Sequence, residues 1–295
     1  MQLALYSAVL TGLCWGVATF AGGRAARQVS PPLLTAIYNV VAGIIFGILY
    51  LYSSEREAIS QSVNKSYELL TKTFLWGTLG GLSFAIGLTT ITYGLSKGRS
   101  AVVGPIASTI EVLLPFIYAI VVSQLPNNIA IAGIVLLIFV PWLVTKTTKQ
   151  DVVHETSVTK DISIGVLSGI GFGSYYLALI VGPEKTPLLT MTIVQVSSAI
   201  AMIGVHVYLK NSWKIPSKFA VHALTFVIFE TLGALFLRYA VTRGSPAVVS
   251  TLSAIVYVTS LLLLSYLIIK ERFSRSQLLG FALTIIGVAL AILNT

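Results

Sequence analysis

The chain has 295 residues, of which 56% are hydrophobic and 10% charged, and its mean hydropathy is +0.89. A soluble domain carries about 25% charged residues, so this composition excludes soluble α/β enzymes, nucleic-acid binders and disordered regulators. The net charge of +9 then reads as basic loops lying against an anionic membrane face, and a single cysteine, Cys14, excludes an internal disulfide and a thiolate metal cluster.

A spanning helix needs about 20 mostly apolar residues, because hydrocarbon cannot satisfy backbone polar groups and each must be paired within the helix. Ten such blocks follow one another: Leu3–Gly22, Leu33–Tyr52, Phe74–Ser96, Ala101–Val122, Ile129–Thr145, Ile162–Val181, Leu188–Leu209, Phe219–Val241, Ala247–Ile269 and Gln277–Leu293. Short polar turns separate them, many marked by Pro or Gly: Pro31-Pro32, Gly98, Pro126, Pro187, Pro216 and Gly244-Ser245-Pro246. A membrane β-barrel would show alternating blocks of about ten residues; these are too long and too uniformly apolar. The first block lacks the basic n-region of a cleavable signal, since Arg24 and Arg27 follow the apolar run. It is expected to be a true first span.

Lys and Arg divide unevenly between the two faces that ten crossings define. One face collects Arg24, Arg27, Lys97, Arg99, Lys146, Lys149, Lys160, Lys210, Lys214, Lys218, Lys270, Arg272 and Arg275. The other has Arg56, Lys65, Lys72, Lys185 and Arg243, with Arg238 inside span eight. The positive-inside rule puts the first face in the cytoplasm and both termini outside.

An internal repeat runs through the chain. An offset of 155 lays Pro32-Leu33-Leu34-Thr35 on Pro187-Leu188-Leu189-Thr190, and an offset of 157 lays Gly12, Trp15 and Gly16 on Gly169, Phe172 and Gly173. An offset of 146 lays Gly87, Tyr93, Gly98 and Ala101-Val102-Val103 on Gly233, Tyr239, Gly244 and Ala247-Val248-Val249. The offset changes only where loops differ in length. The chain thus divides into residues 1–145, a polar joint at 146–161, and residues 162–295. Each half holds five spans, and five is odd, so the halves are expected to sit upside down relative to each other. That is the inverted repeat from which many secondary transporters are built, with the substrate site at the midplane. The expected fold is all-α: ten transmembrane helices in two inverted five-helix repeats around a central cavity.

The residues most expected to carry function are carboxylates inside the membrane. Glu111 falls near the middle of span four and Glu230 near the middle of span eight. An acidic residue at a helix centre costs about 2.5–3.5 kcal/mol on the insertion scale. Such residues face the bundle interior or a wet cavity and mark ion or substrate pathways. The repeat does not match them: Phe84 is the counterpart of Glu230, and Tyr257 of Glu111. They are therefore not scaffold inherited from the duplicated ancestor. One or both are expected to bind a coupling proton, or a cationic or amino group of the cargo. The competing account is a buried ion pair locking two helices, with Arg238 eight residues beyond Glu230 on roughly the same helix face.

Trp15, Tyr93, Tyr175, Tyr176, Tyr239 and Tyr257 offer rings to a cationic or amphipathic ligand, and Asn39 and Gln195 lie inside spans two and seven. Interface anchoring by the aromatics and interhelical glue by Asn and Gln are the rival readings. Gly12-x-x-x-Gly16, Gly43-x-x-x-Gly47, Gly77-x-x-x-Gly81 and Gly169-x-x-x-Gly173 let backbones approach closely, and spans one and six keep the pattern in register. Pro105 and Pro115 flank Glu111, so span four is expected to be irregular around its carboxylate. His154, His206 and His222 have no partner at metal-ligand spacing and read as interfacial or solvated. No phosphate loop, nucleophile elbow or paired metal motif occurs, so neither cofactor nor metal is expected, nor is enzymatic activity. The driving force must come from an ion or substrate gradient.

Over essentially its whole length the chain resembles the ten-helix, two-EamA-domain branch of the drug/metabolite transporter superfamily. The matching residues are Trp15-Gly16, Pro31-Pro32-Leu33-Leu34, Gly98 with Ala101-Val102-Val103, and Lys270-Glu271-Arg272-Phe273 followed by Gln277-Leu278-Leu279-Gly280 and Gly287. The resemblance implies a bundle around a central cavity that exports amino acids, small metabolites or drugs across the cytoplasmic membrane, as a monomer or homodimer. Ser123-Gln124-Leu125-Pro126 departs from the family's usual acidic turn. Asn39 and Val194 stand where relatives often carry arginine, so no arginine-based anion site is expected at those two positions. An uncoupled facilitator or channel, and a lipid-carrier flippase, share the architecture and stay open as alternatives.

Overall fold

The computed structural model describes residues 2–60, 63–97, 100–121, 129, 132–133, 135–136, 139, 143, 158–183, 185–244, 246–270 and 273–292. Every regular element among them is helical. The order is α1 (Gln2–Ala25), α2 (Pro31–Leu51), α3 (Ser54–Ser60), α4 (Val63–Ser96), α5 (Ser100–Val121), α6 (Val158–Val181), α7 (Pro187–Tyr208), α8 (Ser217–Val241), α9 (Pro246–Leu264) and α10 (Arg275–Ile292). A π turn, Ser265–Ile269, extends α9 and ends at Lys270, whose φ of 58° is left-handed.

Spans one to four and six to ten of the sequence reading fall on α1, α2 and α4–α10. Span five, Ile129–Thr145, lies largely outside the described residues, as do Gly98, Pro126 and His154. The joint at 146–161 gives its last four residues to α6, which begins at Val158 with Asp161 in its first turn, where a negative charge suits the helix dipole. Prolines open α2 and α7, the one place where a missing N–H costs a helix nothing. Seven described helices are long and apolar enough to cross a bilayer: α1, α2, α4 from Tyr67, α6, α7, α8 and Leu252–Ile269. The apolar stretch described in α5, Val102–Pro115, is shorter. Large apolar side chains point outward all around the bundle, among them Ile44, Ile200, Val221, Leu224 and Leu267, each more than half exposed. In water so much exposed apolar surface would be an aggregation hazard; against lipid it is the expected finish.

α1 packs between α8 and α9, α6 between α4 and α5, α2 against α7 and α8, α4 also against α7, and α5 meets α9. Exchanging each helix with its counterpart in the repeat maps this set of contacts onto itself. The small residues explain two of them. A side chain at Gly12 would meet the Ser253 carbonyl at 2.5 Å and Val256 at 2.6 Å, and Gly16 sits against Ser260 in the same way. On α6, a side chain at Gly169 would meet the Ala107 carbonyl and Ile110 at 2.6 Å, and one at Gly173 would meet Leu114 at 2.8 Å. The crossing of α1 on α9 thus recurs as α6 on α5. A second equivalence sits beside it: the Trp15 indole lies on Gly233, and the Phe172 ring lies on Gly87.

The helices gather at two ends. At one, the α8–α9 turn touches the start of α1 (Gly244 against Ala4), and Thr73 Oγ1 lies 2.8 Å from Thr186 Oγ1 between α4 and the α6–α7 turn. At the other, the start of α6 and the end of α4 share Tyr93, with Lys97 and Lys160 over its ring, and Ser30 meets His206 at the end of α7. Equivalent helices α1 and α6 therefore run in opposite directions. His206 is fully buried in the last turn of α7, with Ser30 Oγ 2.9 Å from Nδ1 and Trp213 packed on its ring, which corrects the expectation of a solvated histidine. Pro105 and Pro115 lie within one continuous helix, so the irregularity expected of span four is confined to its hydrogen bonding. The missing N–H of Pro115 leaves the Glu111 carbonyl without its usual donor.

Substituting Gly12→Val or Gly169→Val should overpack these crossings and destabilise the protein by about 1–3 kcal/mol, read as a lowered thermal unfolding midpoint in detergent. Gly204→Val, at an exposed position with nothing within 4 Å, should leave it unchanged.

Candidate functional site

Where α1, α4, α5, α6, α8 and α9 converge they enclose a cavity lined by Trp15, Thr19, Phe84, Glu111, Phe172, Tyr175, Tyr176, Glu230 and Tyr257. Its free volume is about 20 Å³, room for roughly one water molecule. Aromatic rings take up the rest: Phe84 lies 6.0 Å from Phe172 and 5.0 Å from Tyr175, and Tyr175 lies 5.5 Å from Tyr176, centre to centre. Eight of the nine residues form four pairs under the offsets of the repeat: Trp15 with Phe172, Thr19 with Tyr176, Phe84 with Glu230, and Glu111 with Tyr257. The cavity therefore sits where the two halves meet and is lined by equivalent positions of both.

Glu111 is 5% exposed and Glu230 2%. Among the described residues no hydrogen bond or ion pair reaches either carboxyl. Tyr176 Oη and Trp15 Nε1 are buried there without partners as well. An isolated charge in so dry a place is costly, so these two carboxyls are the most expensive side chains in the cavity wall.

The structure brings together six of the residues singled out by sequence: Trp15, Glu111, Tyr175, Tyr176, Glu230 and Tyr257. Four others lie elsewhere. Asn39 and Gln195 are buried in the seam between α2 and α7, where Asn39 Nδ2 donates to the Thr35 carbonyl at 2.6 Å and Gln195 Nε2 donates to Tyr38 Oη at 3.2 Å. Tyr93 and Tyr239 sit at helix ends under cations, Lys97 5.5 Å and Arg243 3.7 Å from their ring centres. Interhelical glue and interface anchoring describe these four better than ligand contact. Sequence reading missed Thr19 as a site residue, although the offset that pairs Trp15 with Phe172 also pairs Thr19 with Tyr176.

Arg238 does not pair with Glu230. Its Nη2 donates to Glu55 Oε1 at 3.1 Å, and the Glu55 carboxylate also accepts from Leu188 N at 2.9 and 3.1 Å and from Leu189 N at 3.4 Å. One carboxylate from α3 thus joins the first half of the chain to the N-terminus of α7 and to the end of α8. The two side chains are 11% and 24% exposed. Arg238 also lines a larger hollow of about 400 Å³ between the ends of α6 and α8 and the start of α7. Tyr176 borders both spaces, so the hollow is a vestibule reaching to the wall of the central cavity. Glu55 carries no signal in sequence, because a lone carboxylate in a polar loop looks solvated.

Glu55→Ala leaves Arg238 unpaired and the first N–H groups of α7 open, and should cost about 1–3 kcal/mol in thermal unfolding of the purified protein. Glu55→Gln should cost less, because its amide oxygen still accepts from Leu188.

A crystal structure superposes on 98% of this chain and 97% of its own with a TM-score of 0.62 at 17% identity, a likeness of fold alone. An uncharacterized protein of Methanocaldococcus jannaschii is 26% identical over 136 residues, 46% of this chain and 96% of that one. The model of the EamA-like transporter family matches twice, at residues 2–145 and 159–293. With both matches covering nearly all of it, the chain belongs to the EamA-like transporter family of the drug/metabolite transporter superfamily.

Proposed function

We propose that this membrane transporter is a secondary active exporter working by alternating access, its two five-helix halves inserted in opposite orientations and its carboxyls Glu111 and Glu230 taking up the coupling ion. The observation that carries the reading is two buried carboxyls, unpartnered and facing one cavity on the seam between equivalent helices. A membrane protein tolerates such groups where ions or cargo pass. The opposite course of α1 and α6 and the self-mapping contact set support the inverted arrangement. The division at residues 1–145 and 162–295 follows from the same repeat.

A proton or a cationic group satisfies these carboxyls in turn, and the surrounding Trp, Tyr and Phe faces favour a cation further. Cargo bearing an amine (an amino acid, a small metabolite or a cationic drug) fits this chemistry. The excess of Lys and Arg at the other face supports a vestibule on the non-cytoplasmic side of the cytoplasmic membrane, with both termini there. A cavity with room for one water is an occluded site, which favours a carrier over an open facilitator pore.

Reconstitution into liposomes with an imposed pH gradient and a panel of amino acids and organic cations tests the proposal. The unmodified protein should accumulate at least one of them in a gradient-dependent way, and Glu230→Gln and Glu111→Gln should each bring that flux to the level of empty liposomes. Gradient-driven flux that survives in both variants would remove the carboxyls from the mechanism.

A further inference from the structure

The vestibule has a chemistry of its own, opposite to that of the cavity below it. Its walls are largely apolar, with Leu179, Ile180, Met191, Leu237 and Val241 facing in, and among the described residues lining it Arg238 is the one charged side chain. We infer that this vestibule is a docking site for a carboxylate carried on an apolar body, with the Arg238 guanidinium as its anchor. The inference rests on the transporter reading above and names part of the cargo: an acid group held at the outer end of the path that leads from Glu111 and Glu230 past Tyr176.

Charge placement is the first argument. Glu55 is shared between two positive partners, Arg238 and the N-terminus of α7, whose Leu188 and Leu189 N–H groups point at it. A helix N-terminus carries roughly half a positive charge, so a single carboxylate leaves the cluster of three with a positive surplus. That surplus is presented by Arg238, which lines the vestibule together with Pro187 at the start of α7.

Donor supply is the second. A guanidinium has five N–H donors in a rigid fork, and Glu55 takes one bond, from Nη2. Arg238 Nε is buried without a partner. An incoming carboxylate would satisfy it and gain the charge-assisted bonding that Arg offers to planar acids. Size is the third. A hollow of about 400 Å³ lies within the range of small-molecule sites, which are mostly apolar with a few placed polar groups.

Thermal unfolding of the purified protein in detergent, titrated with sodium benzoate and with benzamide at matched ionic strength, tests the assignment. Benzamide has the same ring and nearly the same shape without the charge. Benzoate should stabilise the protein saturably and benzamide should not. Folded Arg238→Gln should weaken benzoate binding at least tenfold, and Glu55→Gln, which removes the competing acceptor, should bind it at least as tightly as the unmodified protein. Equal responses to benzoate and benzamide in the unmodified protein would overturn the assignment whether or not the Arg238 variant folds. An unchanged Kd in folded Arg238→Gln, or loss of binding in folded Glu55→Gln, would overturn it too. No gradient enters this measurement, so benzoate binding without gradient-driven flux would fault the coupling reading alone, and flux without benzoate binding would fault the docking site alone.

Discussion

Hydrocarbon offers no hydrogen-bond partner to a backbone or a carboxyl, and both halves of that constraint shape this molecule. Backbone groups answer it by forming long helices that open on proline where no N–H is needed. Carboxyls answer it by hiding: Glu111 and Glu230 lie where six helices converge, behind a wall of rings. Close convergence of that kind needs small residues, which is why Gly12, Gly16, Gly169 and Gly173 stand at the crossings flanking the cavity. The glycines and the acids are parts of one arrangement. Without the close crossings the rings would not meet, and water would fill the space around the carboxyls.

The four equivalent pairs in the cavity wall show how a duplicated scaffold acquires an asymmetric site. Trp15 and Phe172 keep the same task, each ring resting on a glycine of the opposite half. The other pairs have diverged: an acid in one half has a ring as its counterpart in the other twice, and Tyr176 has Thr19. Two identical halves would put an acid at all four of these positions, crowding four carboxyls into a cavity with room for about one water. With an aromatic at the counterpart position of each acid, the cavity keeps two carboxyls and walls them in with rings. Divergence at symmetric positions is what turns a packing seam into a binding site.

How much of this the sequence discloses depends on whether a feature is written along the chain or across it. Helix spans are written along it, so apolar runs found nine described helices to within a few residues, missing mainly the extension of α4 back to Val63. The carboxyls and the glycine motifs were legible because their cost or their spacing is local. Tyr93 and Tyr239 recur across the repeat, yet a recurring ring at a span end is an anchor, and each lies beneath a cation four residues on. Asn39 and Gln195 are polar and central, yet they face the α2–α7 seam and not the cavity, because rotation about a helix axis is set by tertiary packing. Glu55 was invisible for the same reason. Its partners lie at positions 188, 189 and 238, and only the folded chain brings the N-terminal end of α7 and an arginine to a carboxylate on α3.

The two ends of the bundle are not alike, and this difference ties the architecture to transport. At the end where α6, α7 and α8 meet there is a vestibule of about 400 Å³. The equivalent place in the first half, where α1, α2 and α4 meet at the opposite end, is packed shut. Gly22 backs onto Phe226 and Thr92, Gly23 onto Leu95, and Val29, Leu33, Leu34 and Thr35 are each at most 3% exposed. Equivalent helices thus adopt an open arrangement in one half and a closed one in the other. If the halves traded arrangements, the vestibule would seal and its counterpart would open on the far side, with Glu111 and Glu230 held at the seam throughout. A repeat of this kind supplies both access states from a single pair of packings, and the energy separating them need only be as large as the contacts exchanged at the two ends. Glu55 and Arg238 form such a contact at the open end. On the export reading cargo leaves through this vestibule, where an ion pair with a positive surplus answers to its charge and so weights the balance between the two states as it is released.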